Sequence, residues 1–241
     1  MRIDILTTKR RDTTVVDQFW RSHGWSPVYW DNTDALPGLG RNRILTDFYA
    51  SDRPWLAMAD DDMVIDVKRG AGAEFLSDPY RVLNKIAGEI TSFGLMNNIH
   101  HRVDITLTNP ALQDHWVFYR ASWIGCLVFH HRTGQQFYNN ETDILEDMDW
   151  CLDQIQAGHH VAHCMNIVQR CVSGSSTIFQ DQAQRRQRYL AAKRRILKQY
   201  PGITLSAQNR LVKTRFLNQY WPVQTPWKTV KDIGPCWRLP K

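Results

Sequence analysis

The first sixty residues constrain the fold most tightly, because apolar runs of two different periods alternate there and end on three acids. Ile3-Asp4-Ile5-Leu6 alternates with period two and reads as a strand. Val15, Val16, Phe19 and Trp20 recur at helical spacing across 13–23, and Gly24 is placed to stop that helix. Val28-Tyr29-Trp30 reads as a second strand ending at Asp31. Gly38-Leu39-Gly40 opens a second helix over 41–51, with Ile44, Leu45, Phe48 and Tyr49 on its apolar side. Residues 55–59 form a buried-strand candidate that runs directly into Asp60-Asp61-Asp62. Strand, helix, strand, helix, strand predicts a parallel sheet covered by helices.

Further along, the spacing predicts a helix over 79–93, strand-like runs at 103–108 and 116–129, and a bend at 121–125. A helix over 144–156 is closed by Gly158, and a strand over 160–168 follows. Ser173-Gly174-Ser175-Ser176 is a loop signal. A long basic helix over 179–200 is stopped by Pro201-Gly202, another helix is expected over 209–220, and the tail with Pro222, Pro226, Pro235 and Pro240 is expected to be extended. The net charge of +6 conceals an asymmetry. Residues 1–166 carry 15 Lys/Arg against 22 Asp/Glu, a balance of −7, whereas 167–241 carry 15 against 2, a balance of +13. A basic third of this kind suits a polyanionic partner, nucleic acid first, or else is a solvated face. The expected organisation is a domain over 1–170 and a basic helical extension over 171–241 packed on it.

No apolar run approaches the roughly 20 residues that cross a bilayer, so no membrane association is expected. Asp4 falls where a secretion signal would need an apolar core. The five cysteines contain no Cys-x-x-Cys pair and read as reduced thiols, so a cytoplasmic location is expected.

Three consecutive aspartates at a strand end repel one another unless a cation compensates them. Mg²⁺ or Mn²⁺ prefers such carboxylate oxygens and leaves positions for substrate phosphates. A solvated acidic turn is the plain alternative. Upstream, the amides and guanidinium groups of Gly40-Arg41-Asn42-Arg43 at a helix start suit a diphosphate, or merely cap a surface helix. In Glu146-Asp147-Met148-Asp149-Trp150 the first two side chains diverge by about 100° on a helix. One of them suits a general base, while acids in a first helical turn are also favoured by the macrodipole. Adjacent histidines such as His100-His101, His130-His131 and His159-His160 point to opposite faces of a strand and seldom chelate one ion. His163, on the strand after the acidic helix, stands apart from them.

Taken in order, Asp31, Gly-x-Gly-Arg-Asn-Arg at 38–43, Ala-Asp-Asp-Asp at 59–62 and Glu-Asp-Met-Asp-Trp at 146–150 resemble the GT-A nucleotide-sugar glycosyltransferases. The resemblance covers roughly 1–170 and implies an α/β fold, a mixed and mostly parallel Rossmann-like sheet flanked by helices. It implies a nucleotide diphosphate sugar donor, a UDP-sugar first, held with Mn²⁺ or Mg²⁺. Asp60 and Asp62 then match the DxD metal positions, with Asp60 or Asp61 nearer the ribose. Asp31 would face the nucleoside, Arg41 or Arg43 the donor phosphates, and His163 would complete the metal site. Asp147, or second Glu146, would be the base. The small size and basic third are similar to the phage TET/JBP-associated glycosyltransferases, which implies a 5-hydroxymethylpyrimidine in DNA as acceptor. Arg185, Arg186, Arg188, Lys193, Arg194, Arg195 and Lys198 would then contact DNA phosphates, and Trp116, Trp123 or Trp150 would stack a ring. A glycan or protein acceptor, or a nucleic-acid-binding module with an inactive core, are the alternatives.

Overall fold

The structure, a computed structural model, describes the chain apart from residues 8–11, 33–35, 98–100, 141, 143, 173–181, 223–227 and 232–233, and apart from the side chains of 101–103, 182, 230 and 234. The loop signal at Ser173-Gly174-Ser175-Ser176, and also His100 and Pro226, lie outside the described residues.

The chain opens with β1 (Arg2–Thr7), α1 (Thr14–Ser22), β2 (Ser26–Asp31), α2 (Pro37–Ala50) and β3 (Trp55–Asp60), the expected alternation. After the acids come β4 (Met63–Gly70), α3 (Gly72–Ser77), α4 (Pro79–Ile86), β5 (Ser92–Asn97), α5 (His101–Thr108) and α6 (Pro110–Gln113). Next are β6 (His115–Arg120), β7 (Leu127–His131), α7 (Glu146–Gln156) and β8 (Val161–Cys171). The last third holds α8 (Gln182–Gln199), β9 (Thr204–Leu205), β10 (Leu211–Val212), α9 (Thr214–Tyr220), β11 (Lys228–Val230) and β12 (Gly234–Pro240).

Among the described residues, ten strands form one sheet in the order β11-β12-β6-β8-β5-β7-β3-β1-β2, with β4 joined to β8. β1 is parallel to β2 and β3, and β5 to β8, while β7 lies antiparallel between β3 and β5. Following the pairings, β1, β2, β3, β5, β8 and β12 run one way, and β4, β6, β7 and β11 the other. The expected mixed α/β sheet, with most strands in one direction and helices against it, is the observed architecture. The carboxyl ends of β3, β5 and β8 therefore share one edge, where sheets of this kind bind ligands.

Three departures from the sequence reading have clear causes. The helix expected over 79–93 stops at Ile86, since Gly88 adopts φ 97° and the chain turns into β5. Val103, Ile105 and Leu107 alternate like a strand but form α5, whose Ile105 and Leu107 pack on the apolar cluster that includes Met165 and Val168 of β8. The tail is not merely extended: β12 pairs with β6 through Trp237↔Phe118 and Leu239↔Trp116.

The core is aromatic around β5 and β7, where Phe93 stacks on Phe129 at 4.9 Å and Phe75 meets both edge-on. Beside Phe93, Gly94 lets the segment after β6 cross the sheet: a Cβ there would lie 1.7 Å from the carbonyl oxygen of Ile124. Gly94→Ala should therefore cost about 3 kcal/mol or more in chemical denaturation, the upper range for overpacking. A loss below about 0.5 kcal/mol would mean that the crossing segment moves aside freely.

Candidate active site

At the carboxyl edge of β3, Arg41 joins two parts of the chain that lie far apart in sequence. Its guanidinium donates to Asp60 at 3.0 Å and to Glu146 at 2.8 Å, and it lies over the Tyr138 ring at 5.4 Å. Arg41 is buried, and the two carboxylates hold its pKa up against that burial. The glycines of α2 permit the approach. A Cβ on Gly40 would stand 2.5 Å from Asn32 Oδ1 and Leu6 Cδ1, and one on Gly38 would stand 2.8 Å from the Asn139 carbonyl oxygen. Here the sequence reading needs correction: α2 begins at Pro37, so the amides of 41–43 lie inside the helix and are bonded along it rather than open to a diphosphate. Arg41 faces carboxylates in this state, whereas Arg43 is exposed and reaches the Asp31 carbonyl at 3.4 Å.

The three aspartates separate. Asp61 is buried and its Oδ2 accepts from Thr7 Oγ1 at 2.9 Å, tying the turn to β1. Asp60 and Asp62 remain partly exposed, and Asp62 Oδ2 accepts from the Cys171 thiol at 3.1 Å. Among the described residues no three His, Cys, Asp or Glu side chains converge on one point. Two accessible hard carboxylates suit Mg²⁺ or Mn²⁺, which typically take one or two protein carboxylates and complete their shell with phosphates and water. His163 does not belong with them. It pairs with Gly94 on β5, five register steps of about 3.3 Å from the Cys171 end where Asp62 sits, so roughly 16 Å separates them along the strand. A metal ligand must come within about 2.1 Å, so the assignment of His163 to the metal is overturned by sheet geometry.

α7 opens on a strained residue. Leu145 at its N-cap adopts φ 62°, a left-handed conformation that costs a β-carbon residue about 1–2 kcal/mol. This sends Glu146 back towards Arg41 and turns Asp147 towards Trp123. The Asp147 carboxylate accepts from the Met148 amide at 2.7 Å and from the Trp123 side chain. Desolvation, then the charge of Glu146, push Asp147 up to about 7. Desolvation also raises Glu146, with Arg41 opposing it. One carboxylate is thus held by a cation while its neighbour titrates near neutrality, the environment that separates acid and base roles.

The basic run of α8 divides in two. Arg185, Arg186, Arg188, Arg194 and Lys198 are exposed. Lys193 is buried and bonded to Asn209, and Arg195 pairs with buried Asp149 at 3.0 Å and bonds the Thr142 hydroxyl. Buried Lys193 is withdrawn from any polyanion, which corrects its assignment to nucleic acid, and Arg195 is engaged with Asp149 and Thr142 in this structure. Trp116 and Trp150 are core residues; Trp123 alone of the three expected ring-stackers reaches a cavity.

That cavity, a cleft of about 310 Å³, is bounded by Trp123, Tyr119, His163, Met165, Lys213 and Leu217. Sequence reasoning passed over Lys213 and Tyr138, because neither belongs to a motif and both reach the site only through the tertiary fold.

No protein-family model matches the chain, and no curated protein does. Among solved structures, it is similar to protein A197 of STIV at 13% identity and TM-score 0.47, over 88% of this chain and 93% of that one. Residues 1–349 of TarS from S. aureus align at 8% identity and TM-score 0.42, over 70% of this chain and 59% of that one. A Drosophila β-1,4-galactosyltransferase 7 mutant, in complex with manganese, UDP-Gal and xylobiose, aligns at 14% identity and TM-score 0.43, over 100% and 95%. At such values the chain's own geometry must carry any statement of what it does.

Two substitutions test that geometry. Arg41→Met leaves Asp60 and Glu146 facing each other without their cation. It should cost about 3 kcal/mol, the low end for breaking a buried pair because Asp60 is partly solvated. For Asp147, the folded pKa of about 7 lies above an unfolded value of about 3.9. Its ionisation therefore penalises the folded state: the cost is absent below about pH 4, grows as pH rises, and is complete above 7. Asp147→Asn should match the wild type in thermal melting at pH 4 and exceed it at pH 8; equal melting at both values would remove the desolvated carboxylate from the picture.

Proposed function

We propose that the chain is a glycosyltransferase that moves a sugar from a nucleotide diphosphate donor to a hydroxyl acceptor. The observation that carries this is the placement of Asp147, a carboxylate titrating near neutrality, beside the Asp60–Arg41–Glu146 bridge at the carboxyl edge of β3. Asp60 and Asp62 would hold Mn²⁺ or Mg²⁺, and the ion would supply Lewis-acid stabilisation of the departing diphosphate. Asp31 ends β2 and Asp61 follows β3, on either side of β1 at the same edge of the sheet, where the nucleoside half of a donor would rest. Arg43, exposed on α2, would meet the donor phosphates.

In this reading Asp147 takes the proton of the acceptor hydroxyl as that oxygen attacks the anomeric carbon. The new C–O bond forms as the bond to the diphosphate breaks, and the electron pair leaves with the diphosphate. A single displacement of this kind inverts the anomeric centre. Glu146, held by Arg41, keeps a negative charge beside Asp147 and so raises its affinity for the proton it must take.

The acceptor we favour is a 5-hydroxymethylpyrimidine in DNA, supported by the exposed cations of α8. The inward turn of Lys193 and Arg195 favours the second reading, a glycan or protein acceptor. Mass spectrometry of hydroxymethylated DNA incubated with Mn²⁺ and a mixed pool of nucleotide sugars separates them. A hexose or pentose mass gain, lost in Asp62→Ala and increasing with pH through about 7, is the expected result. Sugar nucleotide turnover without any DNA product would favour the second reading, and no turnover with any donor would sink both.

Duplex binding provides an independent check on α8. Each phosphate contact contributes about 0.9 to the slope of log K against log salt. The double variant Arg194→Ala/Lys198→Ala should therefore flatten the slope by up to about 1.8. Arg195→Ala should lower the melting temperature and leave the slope unchanged, since that guanidinium is engaged with Asp149 and Thr142.

A further inference from the structure

The cleft beside Trp123 lies next to the reactive carboxylate, because the Trp123 side chain that bounds it also donates to Asp147. Its walls are of two kinds. Trp123, Met165 and Leu217 give flat and apolar surface, while Tyr119, His163 and Ser122 give polar edges. A volume of about 310 Å³ is at the small end for ligand pockets and suits a single ring-bearing unit better than a chain of sugars.

Two cations border it, and they differ. Arg120 donates to the carbonyl oxygens of Leu217 and Trp221 and to Asn218 Oδ1 at 3.0 Å, so its guanidinium is engaged in holding the end of α9. Lys213 is half-buried, and among the described residues its ammonium forms no hydrogen bond or ion pair. Desolvation lowers its pKa, with the charges of Cys151 and Asp147 opposing the shift. A partly desolvated ammonium without a bonded counter-ion is costly, and an anion entering the cleft would reduce that cost.

We propose that this cleft is the acceptor pocket and that it takes a nucleotide unit, its planar base lying against Trp123 and its own phosphate paired with the Lys213 ammonium. The assignment rests on the transferase reading above for the word acceptor, and on the cleft alone for the nucleotide. Base–aromatic stacking tolerates any base, so Trp123 provides affinity, whereas Lys213 distinguishes a nucleotide from a nucleoside or a neutral sugar. The source of the positive charge is the C-terminal third, which would thus read the acceptor at the reactive centre as well as on α8.

The test measures binding by titration calorimetry without donor or metal, using 5-hydroxymethyl-2′-deoxycytidine and its 5′-monophosphate. The monophosphate should bind roughly tenfold more tightly or better, as expected for one charge-assisted pair. Lys213→Met should abolish that preference with the nucleoside affinity kept, Lys213→Arg should restore it, and Trp123→Ala should weaken both ligands. Equal binding of the two ligands by the wild type, or a preference that survives Lys213→Met, overturns the proposal. Hydrolysis of a UDP-sugar with Mn²⁺ by the wild type is followed in parallel. Hydrolysis without the preference overturns the cleft assignment alone; the preference without hydrolysis supports the nucleotide site and removes the transferase reading.

Discussion

Arg41 is the contact on which the arrangement depends, because it reconciles two acidic segments that electrostatics would otherwise drive apart. Asp60 ends β3 and Glu146 begins α7, 86 positions later in the chain (146 − 60), and one guanidinium bonds both. The guanidinium is itself positioned from two sides. Gly38 and Gly40 let α2 settle against 139 and 32, and Tyr138, beneath Arg41, stacks on Trp150 of α7 at 4.6 Å with its ring nearly parallel. Trp150 Nε1 donates to the Gln136 carbonyl, so α7 is fixed to the same loop. A lysine could supply the charge but not the fork that satisfies both carboxylates at once. The electrostatic consequence falls on Asp147. With Glu146 kept anionic by Arg41, the next carboxylate meets both burial and a like charge, and its proton affinity rises to the range a base needs near neutrality.

Much of the frame was legible in the sequence, and the reason is physical. In the first sixty residues the hydrophobic period matches the element that forms, so local preference and tertiary burial agree at β1, α1, β2, α2 and β3. The acids at 60–62 and 146–147 were also legible, since acids following an apolar run are conspicuous. What could not be read is whatever depends on which surfaces meet. Residues 103–108 alternate like a strand yet are helical, because packing on β8 outweighs a weak local preference. His163 looked near the metal in chain order, but a parallel sheet sets neighbours by register, and its register places it with Trp123 instead. The glycines of 38–40 carried the right signal for close backbone approach but the wrong object: the partners are Asn32, Leu6 and Asn139, not a phosphate.

The basic third illustrates how charge counts mislead when burial is ignored. Its excess of +13 suggested a surface for a polyanion, yet part of that charge neutralises acids of the first part. Arg195 meets Asp149, and the hydroxyl of Tyr200, just past α8, sits 2.8 Å from Asp149 Oδ1 and 2.7 Å from Asp153 Oδ1, so α8 braces the same helix that presents Glu146 and Asp147. β12 extends the sheet beyond β6, the strand that ends at the cleft.

From this bracing it follows that the C-terminal third acts on the Asp147 carboxylate by two routes. Through Asp149 it fixes the body of α7, and hence the angle at which the strained Leu145 turn delivers Asp147. Through Lys213 it places a positive charge within electrostatic reach of Asp147, where the field opposes that of Glu146. The two charges act on Asp147 in opposite senses, Glu146 strengthening its hold on a proton and Lys213 weakening it. In the transferase reading, an anion bound at Lys213 would cancel the second influence and leave the first.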